Sequence, residues 1–534
     1  MASKPLRKAA GVSALLMAGA LVVSGCAAGG QAGNTGASTE KPGTLVIDQA
    51  FTAQSIDPAT IFQVTDAIVA SGIYQTLFTY VDNVAEPQPL LAESIEANDS
   101  ATEFTVTLRD DVKFANGNPV TAADVVFSLN RLKHLGASPA YRMEGVTVAE
   151  ADERTVTITT ESPAPYMEHT LTASPLSIVD DETVRAAGGT DAEDAAEADQ
   201  AGNLFTESGN GVGSGPYTLE SYDTNSQIVL VKNEDYWGDA PAYDRIVLRN
   251  VNNAQQQKAN IEGGDSQIAL DIPGRIAEGM ESDALKVQSS PSPEVLYLAL
   301  SQKAGAATAD PDVTEAIKTG IDYEALRALV GAGAKEATGI IPSMMLGSLP
   351  EGEGPKSDPE AAKQLLADAG KTGTAVTLDY ANDYTRLAGI DYNVLAQGLQ
   401  TQLEAIGLKV TLNPTPTSTS LQRYIDGETE MALWSWPPDI ADPSDVLVFS
   451  AGNLIGERVH WPADAAPEVA KLADEARAAI GEDRAAAYTA WNEAMNEEAP
   501  FAYLLEPSFF LVASTSVEHV SHDPLAGVNL SQIR

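Results

Sequence analysis

The chain has 534 residues, with 75 acidic against 32 basic side chains, one cysteine and a formal charge of −43. That balance excludes nucleic acid as a partner, because phosphate backbones are gripped by clustered Lys and Arg; its plain physical consequence is solubility. One cysteine excludes an intramolecular disulfide framework, so the folded part must be held by its core, and the length allows two or three domains.

The N-terminus is basic at Lys4, Arg7 and Lys8, then apolar and uncharged from Ala9 to Val23. This run is short for a membrane span and reads as a secretory signal. It closes on "VVSGC", ending at Cys26, the sole cysteine. The segment resembles the lipobox of bacterial lipoproteins. The resemblance implies that residues 1–25 are removed and that Cys26 is multiply acylated, a durable anchor to the outer face of the cytoplasmic membrane. Residues 27–43 are small, polar and Gly-rich and read as a flexible tether. With Cys26 they make the segment 26–43 between anchor and folded part, and structure is expected from "TLVIDQAF" onward.

Further along, "EFTVTLRDDVKF" alternates at period two from Phe104 to Leu108 and reads as a strand. A helix follows, with Thr121 as cap, Asp124 three residues on, Val125, Leu129 and Leu132 on one face and Gly136 as stop. Residues 185–203 are Ala- and Asp-rich and read as a surface excursion. A second helix takes Asp358 as cap, Pro359 in its first turn, Ala362, Leu365, Leu366 and Ala369 as its buried stripe, and Gly370 as stop. A third carries Leu395, Leu399, Leu403 and Ile406 inward, ends at Gly407 and passes into the strand "LKVTL". Strands and helices alternate, which is an α/β pattern. There is no internal repeat.

Catalytic motifs are tested and fail. "AGKT" at 369–372 has the tail of a phosphate-binding loop, but Leu365 stands where its first Gly belongs, and the segment ends a helix rather than beginning one. "GNGVGSGPY" at 209–217 spells neither G-x-G-x-x-G nor G-x-S-x-G and reads as a turn. His519 and His522 lie three apart in a stretch that looks extended, so they read as structural or surface residues rather than metal ligands. Carboxylates are too abundant for any one pair to indicate a glycosidase.

Four segments together resemble the extracellular solute-binding proteins of ATP-driven peptide and nickel importers, the family of the oligopeptide- and dipeptide-binding proteins. They are "FTVTLRDDVKFANGNPVTAADVVFSLNRL" (104–132), "GSGPYTLESYDTNSQIVLVKNEDYWGDAPAYDRIVLR" (213–249), "VLAQGLQTQLEAIGLKV" (394–410) and "ALWSWPPDIADPSDVLVF" (432–449). Gly-Pro-Tyr followed by Asn-x-x-Tyr-Trp is the most specific. The resemblance runs from about Thr44 to the C-terminus. It implies a two-lobed α/β fold of the periplasmic-binding-protein (Venus-flytrap) kind with an enlarged first lobe. Lobe I would hold 44–270 plus 505–534, and lobe II 271–504. It also implies a monomer without cofactor, metal or catalysis, which encloses a peptide or other small solute and delivers it to the permease subunits of an ABC transporter.

The fourth segment concentrates Trp434, Trp436 and three aspartates. Asp442 caps the turn that Pro443 opens, and Asp445 sits in its first turn, where negative charge is favoured. Capping leaves Asp439 unexplained. It lies just past the carboxyl end of the strand "MALWSW", where open α/β sheets bind ligands. In the family, W-x-x-D before x-x-D-P supplies the Asp that pairs with a peptide's α-amino group, and Trp436 and Asp439 match it. Trp434 shares a strand face with Trp436, as wall or core. Arg386, seven residues before Asn393, resembles in spacing the carboxylate-binding Arg of dipeptide-binding members. Pro437-Pro438 departs from the family, whose peptide binders carry small non-proline residues there; prolines donate no N–H for pairing with a peptide backbone. The ligand readings therefore stand open among oligopeptide, dipeptide, chelated nickel and sugar. From other classes there remain a secreted carboxylate-dependent hydrolase and a surface adhesion protein.

Overall fold

The expected strand "TLVIDQ" forms at Thr44–Gln49 and becomes the middle of a seven-stranded mixed sheet, with Leu45 and Ile47 fully buried. The computed structural model describes residues 43–331, 333–384, 390–525 and 527–534. Cys26 and Arg386 both lie outside them. Thr44–Gln49 pairs in parallel with Arg245–Asn250 on one side and Ile268–Ala269 on the other. The hairpin strands Gln227–Lys232 and Tyr217–Asp223 complete one edge; Ser508–Ser514 and Leu285–Pro291 complete the other. Leu285–Pro291 extends this sheet from beyond residue 270, and the chain leaves it at Ser292–Glu294.

A five-stranded sheet forms the second lobe, in the order Lys409–Thr415, Ala375–Ala381, Met431–Trp436, Val295–Leu300, Phe501–Leu505. Val295–Leu300 is buried along its whole length, as expected of a central strand covered on both faces. A separate four-stranded antiparallel sheet, containing Glu103–Leu108, enlarges the first lobe. Two short passages, Ser292–Glu294 and Glu506–Pro507, join the seven-stranded sheet to the five-stranded one.

The expected helices form for the expected reasons. Ala122–Leu135 is opened by the Asp124 carboxylate, which accepts from the Thr121 N–H (2.8 Å) and hydroxyl (2.7 Å), and it ends at Gly136 with φ 63°. In Pro359–Asp368 the Asp358 side chain accepts from the Ala361 N–H, and Ala362 and Leu366 are buried. Tyr392–Ala405 buries Leu395, Leu399 and Leu403 against the second sheet.

The 185–203 stretch is mostly exposed, as expected of a surface excursion, but it is tied down at one point. It contains short helical turns, and its Asp199 accepts from the buried Arg131 (2.8 Å), which also grips Asp57 bidentately at 2.7 Å. A buried guanidinium needs such partners, and composition alone does not show that one waits some seventy residues upstream.

Candidate functional site

The strand Met431–Trp436 delivers the site. It pairs antiparallel with Val295–Leu300, which sets Trp434 opposite Tyr297 and Trp436 opposite Val295 on one face. Trp434 is only 5% exposed, stacked on Tyr424 (centroids 6.0 Å) and edge-on to Tyr384 (6.1 Å), inside the second lobe's aromatic core. Trp436, half-buried, packs edge-on to Phe449 at 5.4 Å and donates its indole N–H to Asp445 Oδ2 at 2.7 Å. Pro437 and Pro438 then turn the chain out of the sheet, and Asp439 follows.

Asp445 does more than sit in a first turn. Its Oδ1 accepts the Asp439 backbone N–H at 3.1 Å while its Oδ2 holds Trp436, so one carboxylate fixes both neighbouring site residues. Burial, then the negative Asp439 beside it, pushes the Asp445 carboxyl up to about 7. With one hydrogen bond accepted at each oxygen, it orients both neighbours.

Asp439 meets a partner that sequence reasoning missed. Arg142, in the 3₁₀ helix Ser138–Met143 of the first lobe, donates to the Asp439 carbonyl oxygen and to its carboxylate, both at 3.0 Å. Its guanidinium lies 5.2 Å over the Tyr141 ring, and its Nε is buried without a hydrogen-bond partner. Nothing in an isolated "AYRM" marks an arginine whose partner stands 297 residues away.

The ion pair spans the crevice between lobes and separates two cavities. One, of about 240 Å³, is walled by Phe62, Val64, Thr172, Pro437, Pro438 and Asp439. The other, of about 360 Å³, runs past Tyr141, Tyr166 and Asp439. Arg142 lines both. Further contacts cross the crevice nearby: the Ala441 N–H reaches the Tyr80 hydroxyl (3.4 Å), and His169 lies 3.7 Å from Asp442. Asp442 caps Ser444 as expected and, in addition, accepts from the Arg484 guanidinium through both oxygens (2.8 and 2.9 Å) at 1% exposure.

Elsewhere, His519 pairs with Asp82 and His522 bonds Ser290, so the two histidines do not converge. Among the described residues, Asp124, Asp180 and Asp181 bring carboxylates within 4.8 Å of one another. Asp124 accepts from the Thr121 cap and the Asp181 N–H, Asp180 from Asn118 and Thr183, and Asp181 from Arg185, which is a structural use.

Comparison with known proteins agrees with this geometry. The chain is 28% identical over 494 residues to the "Probable D,D-dipeptide-binding periplasmic protein DdpA" of Escherichia coli, covering 90% of this chain and 92% of that one. It is 25% identical over 562 residues to the "Periplasmic oligopeptide-binding protein OppA" of the same organism, covering 97% and 96%. In fold it is similar to the solved binding protein DppA of Helicobacter pylori, in complex with the peptide STSA, with a TM-score of 0.71 at 22% identity, covering 92% and 98%. Residues 86–454 match the middle region of one family, and the chain belongs to it: the bacterial extracellular solute-binding proteins, family 5.

Proposed function

We propose that this chain is the binding component of an ABC importer, which captures a peptide or similar small solute between its lobes and hands it to the membrane permease. The carrying observation is Asp439: a carboxylate past a strand's carboxyl end, oriented by Asp445, at the wall of a 240 Å³ crevice cavity that both lobes line. In this reading Asp439 receives the ligand's ammonium and Trp436 stiffens the wall behind it. Trp434 supports that wall from the core, and Arg386 receives a carboxylate. A binding role fits a site whose second carboxylate holds Trp436 and the Asp439 backbone in place. The lobes divide at the two passages, Ser292–Glu294 and Glu506–Pro507, and hinge there. Cys26 is the acylated first residue, and it holds a monomer on the outer face of the membrane near its permease.

A second ligand reading rests on Pro437 and Pro438, which line the cavity and offer no backbone N–H. Recognition by charge and side chains admits non-peptide solutes carrying an ammonium. Calorimetric titration of free and N-acetylated peptides separates these. A free peptide should bind at least tenfold more tightly than its acetylated form, and Asp439→Asn should erase the difference, about 1.4 kcal/mol or more. Equal binding of both forms to the unaltered protein removes Asp439 from the site. If no peptide binds, mass spectrometry of the co-purifying solute decides for a non-peptide.

A further inference from the structure

A smaller cavity, of about 100 Å³, adjoins the Asp439 cavity at the hinge end and shares Val64, Pro437, Pro438 and Leu525 with it. Two of its lining residues stand at the carboxyl ends of neighbouring parallel strands of the first sheet: Gln49 closes Thr44–Gln49, and Asp271 follows Ile268–Ala269. Loops at such strand ends are where α/β sheets place ligands.

Asp271 and Gln49 carry acceptor oxygens that the fold fills only in part. Asp271 Oδ2 accepts from the Ala50 N–H (2.6 Å) and the Gln257 amide (3.0 Å). Its Oδ1 accepts no hydrogen bond among the described residues, and no cation there pairs with it. Gln49 is 5% exposed, and its Oε1 has no partner. Glu294 adds a second carboxylate to the lining. The sole histidine of the wall, His522, supplies no positive charge at neutral pH: burial pushes it down to about 4, and its Nδ1 is bonded to Ser290 Oγ at 2.7 Å. Phe509 and Phe510 give the cavity an apolar, aromatic side. Buried acceptors without donors are costly. An ammonium brings three donors and a guanidinium five, and a hydrocarbon stem behind either would lie against the phenyl rings.

We propose that this hinge-end cavity is a subsite for a cationic group on a hydrocarbon stem, the ammonium or guanidinium of a ligand whose other end lies at Asp439. The proposal rests on the importer reading above and deepens it: the preferred solute carries two separated positive charges. Burial holds the Asp271 carboxyl above its ordinary range, and a bound cation relieves that.

The test titrates the exported protein with alanine tripeptides carrying either lysine or norleucine, the same stem without the ammonium, at each of the three positions. At one position the lysine peptide should bind tenfold or more tightly. Asp271→Asn, which keeps an oxygen for the Ala50 N–H, should abolish that preference while leaving the norleucine peptide bound, and Gln49→Met should reduce it. Asp439→Asn should weaken both peptides alike. Lysine and norleucine peptides bound equally at every position, or a preference that survives Asp271→Asn, overturns the subsite and leaves the peptide reading intact. If no peptide binds, the peptide reading fails, and 1,5-diaminopentane becomes the probe. A rise in melting temperature that Asp271→Asn removes upholds the subsite, and no rise overturns it.

Discussion

At the scale of single residues, the three aspartates of the 432–449 segment divide differently from what capping alone implies. Asp442 is a cap and also the counter-ion of the buried Arg484. Asn caps as well as Asp does, so Asp442→Asn isolates the ion pair. Leaving Arg484 buried without its counter-charge should cost about 3 kcal/mol, read by denaturant unfolding; a loss under about 1 kcal/mol would show that the pair is not the support it looks to be. Asp445 offers a different measurement. Its carboxyl titrates at about 7 because of burial and the adjacent Asp439, and a cation arriving at Asp439 favours the ionised form. Binding should then release protons near neutral pH, and affinity should climb between pH 6 and 8. Calorimetry at pH 7 in two buffers of different ionisation enthalpy checks this; identical apparent enthalpies would exclude it. The local arrangement of Trp436 and Asp439, at a strand end and just past it, was legible in the sequence because strand, turn and cap all lie within a dozen residues. Arg142, Gln49 and Asp271 were not, since each becomes part of the crevice only through pairing across the fold.

Elements show the same division between local and distant causes. Helices with their own caps and stops, such as Ala122–Leu135 and Pro359–Asp368, could be placed from their signals alone. The segment most specific to the family proves to be a structural lock. Gly215 sits where a Cβ would lie 2.6 Å from the Gly72 carbonyl oxygen, at the end of the helix Val64–Ile73. Trp237 donates to Gln75 Oε1 at 2.9 Å, and the Gln75 amide in turn donates to the Tyr236 hydroxyl at 3.0 Å. The turn and the aromatic pair were readable; Gln75, which ties them together, was not, because a lone Gln carries no pattern. The passage at Glu506–Pro507 has its own pH signature. Glu506 accepts from the Ser343 N–H (2.8 Å) and hydroxyl (2.6 Å), and burial pushes its carboxyl up from 4.5 to about 7. The folded state thus binds the proton more tightly than the unfolded one, so this residue's contribution is fully present below about pH 4.5 and is lost as pH rises to about 7. Glu506→Gln can keep both hydrogen bonds without the titration. The variant should match the parent's melting temperature at pH 4.5 and exceed it at pH 8; a variant equally or less stable at pH 8 would refute the assignment.

For the whole molecule, the proposed function makes the Arg142–Asp439 pair a coupling between closure and ligand. It joins residues of opposite lobes, so under the proposed hinge motion opening the crevice would break it, and it occupies the carboxylate proposed for the ligand's ammonium. The pair therefore acts in two directions: it favours the closed state without ligand, and it competes with the ligand for Asp439. Its strength sets which effect is seen. With Asp439 side chain 45% exposed and Arg142 12% exposed, solvent screens the attraction to about 1 kcal/mol or less, enough to shift a two-state equilibrium by up to about fivefold and not enough to lock it. Arg142→Ala should then open the ligand-free protein, seen as a larger radius of gyration by X-ray scattering, while the ligand-bound radius stays unchanged. Affinity for an ammonium-bearing ligand should rise if competition outweighs closure, and fall if closure outweighs competition. Salt sharpens the distinction, because it screens the internal pair in the parent protein and has no such pair to act on in the variant. The difference in affinity between parent and Arg142→Ala should therefore shrink toward zero from 20 mM to 500 mM salt. A variant whose free dimensions match the parent's, and whose affinity difference does not change with salt, would show that Arg142 bridges the crevice without controlling it.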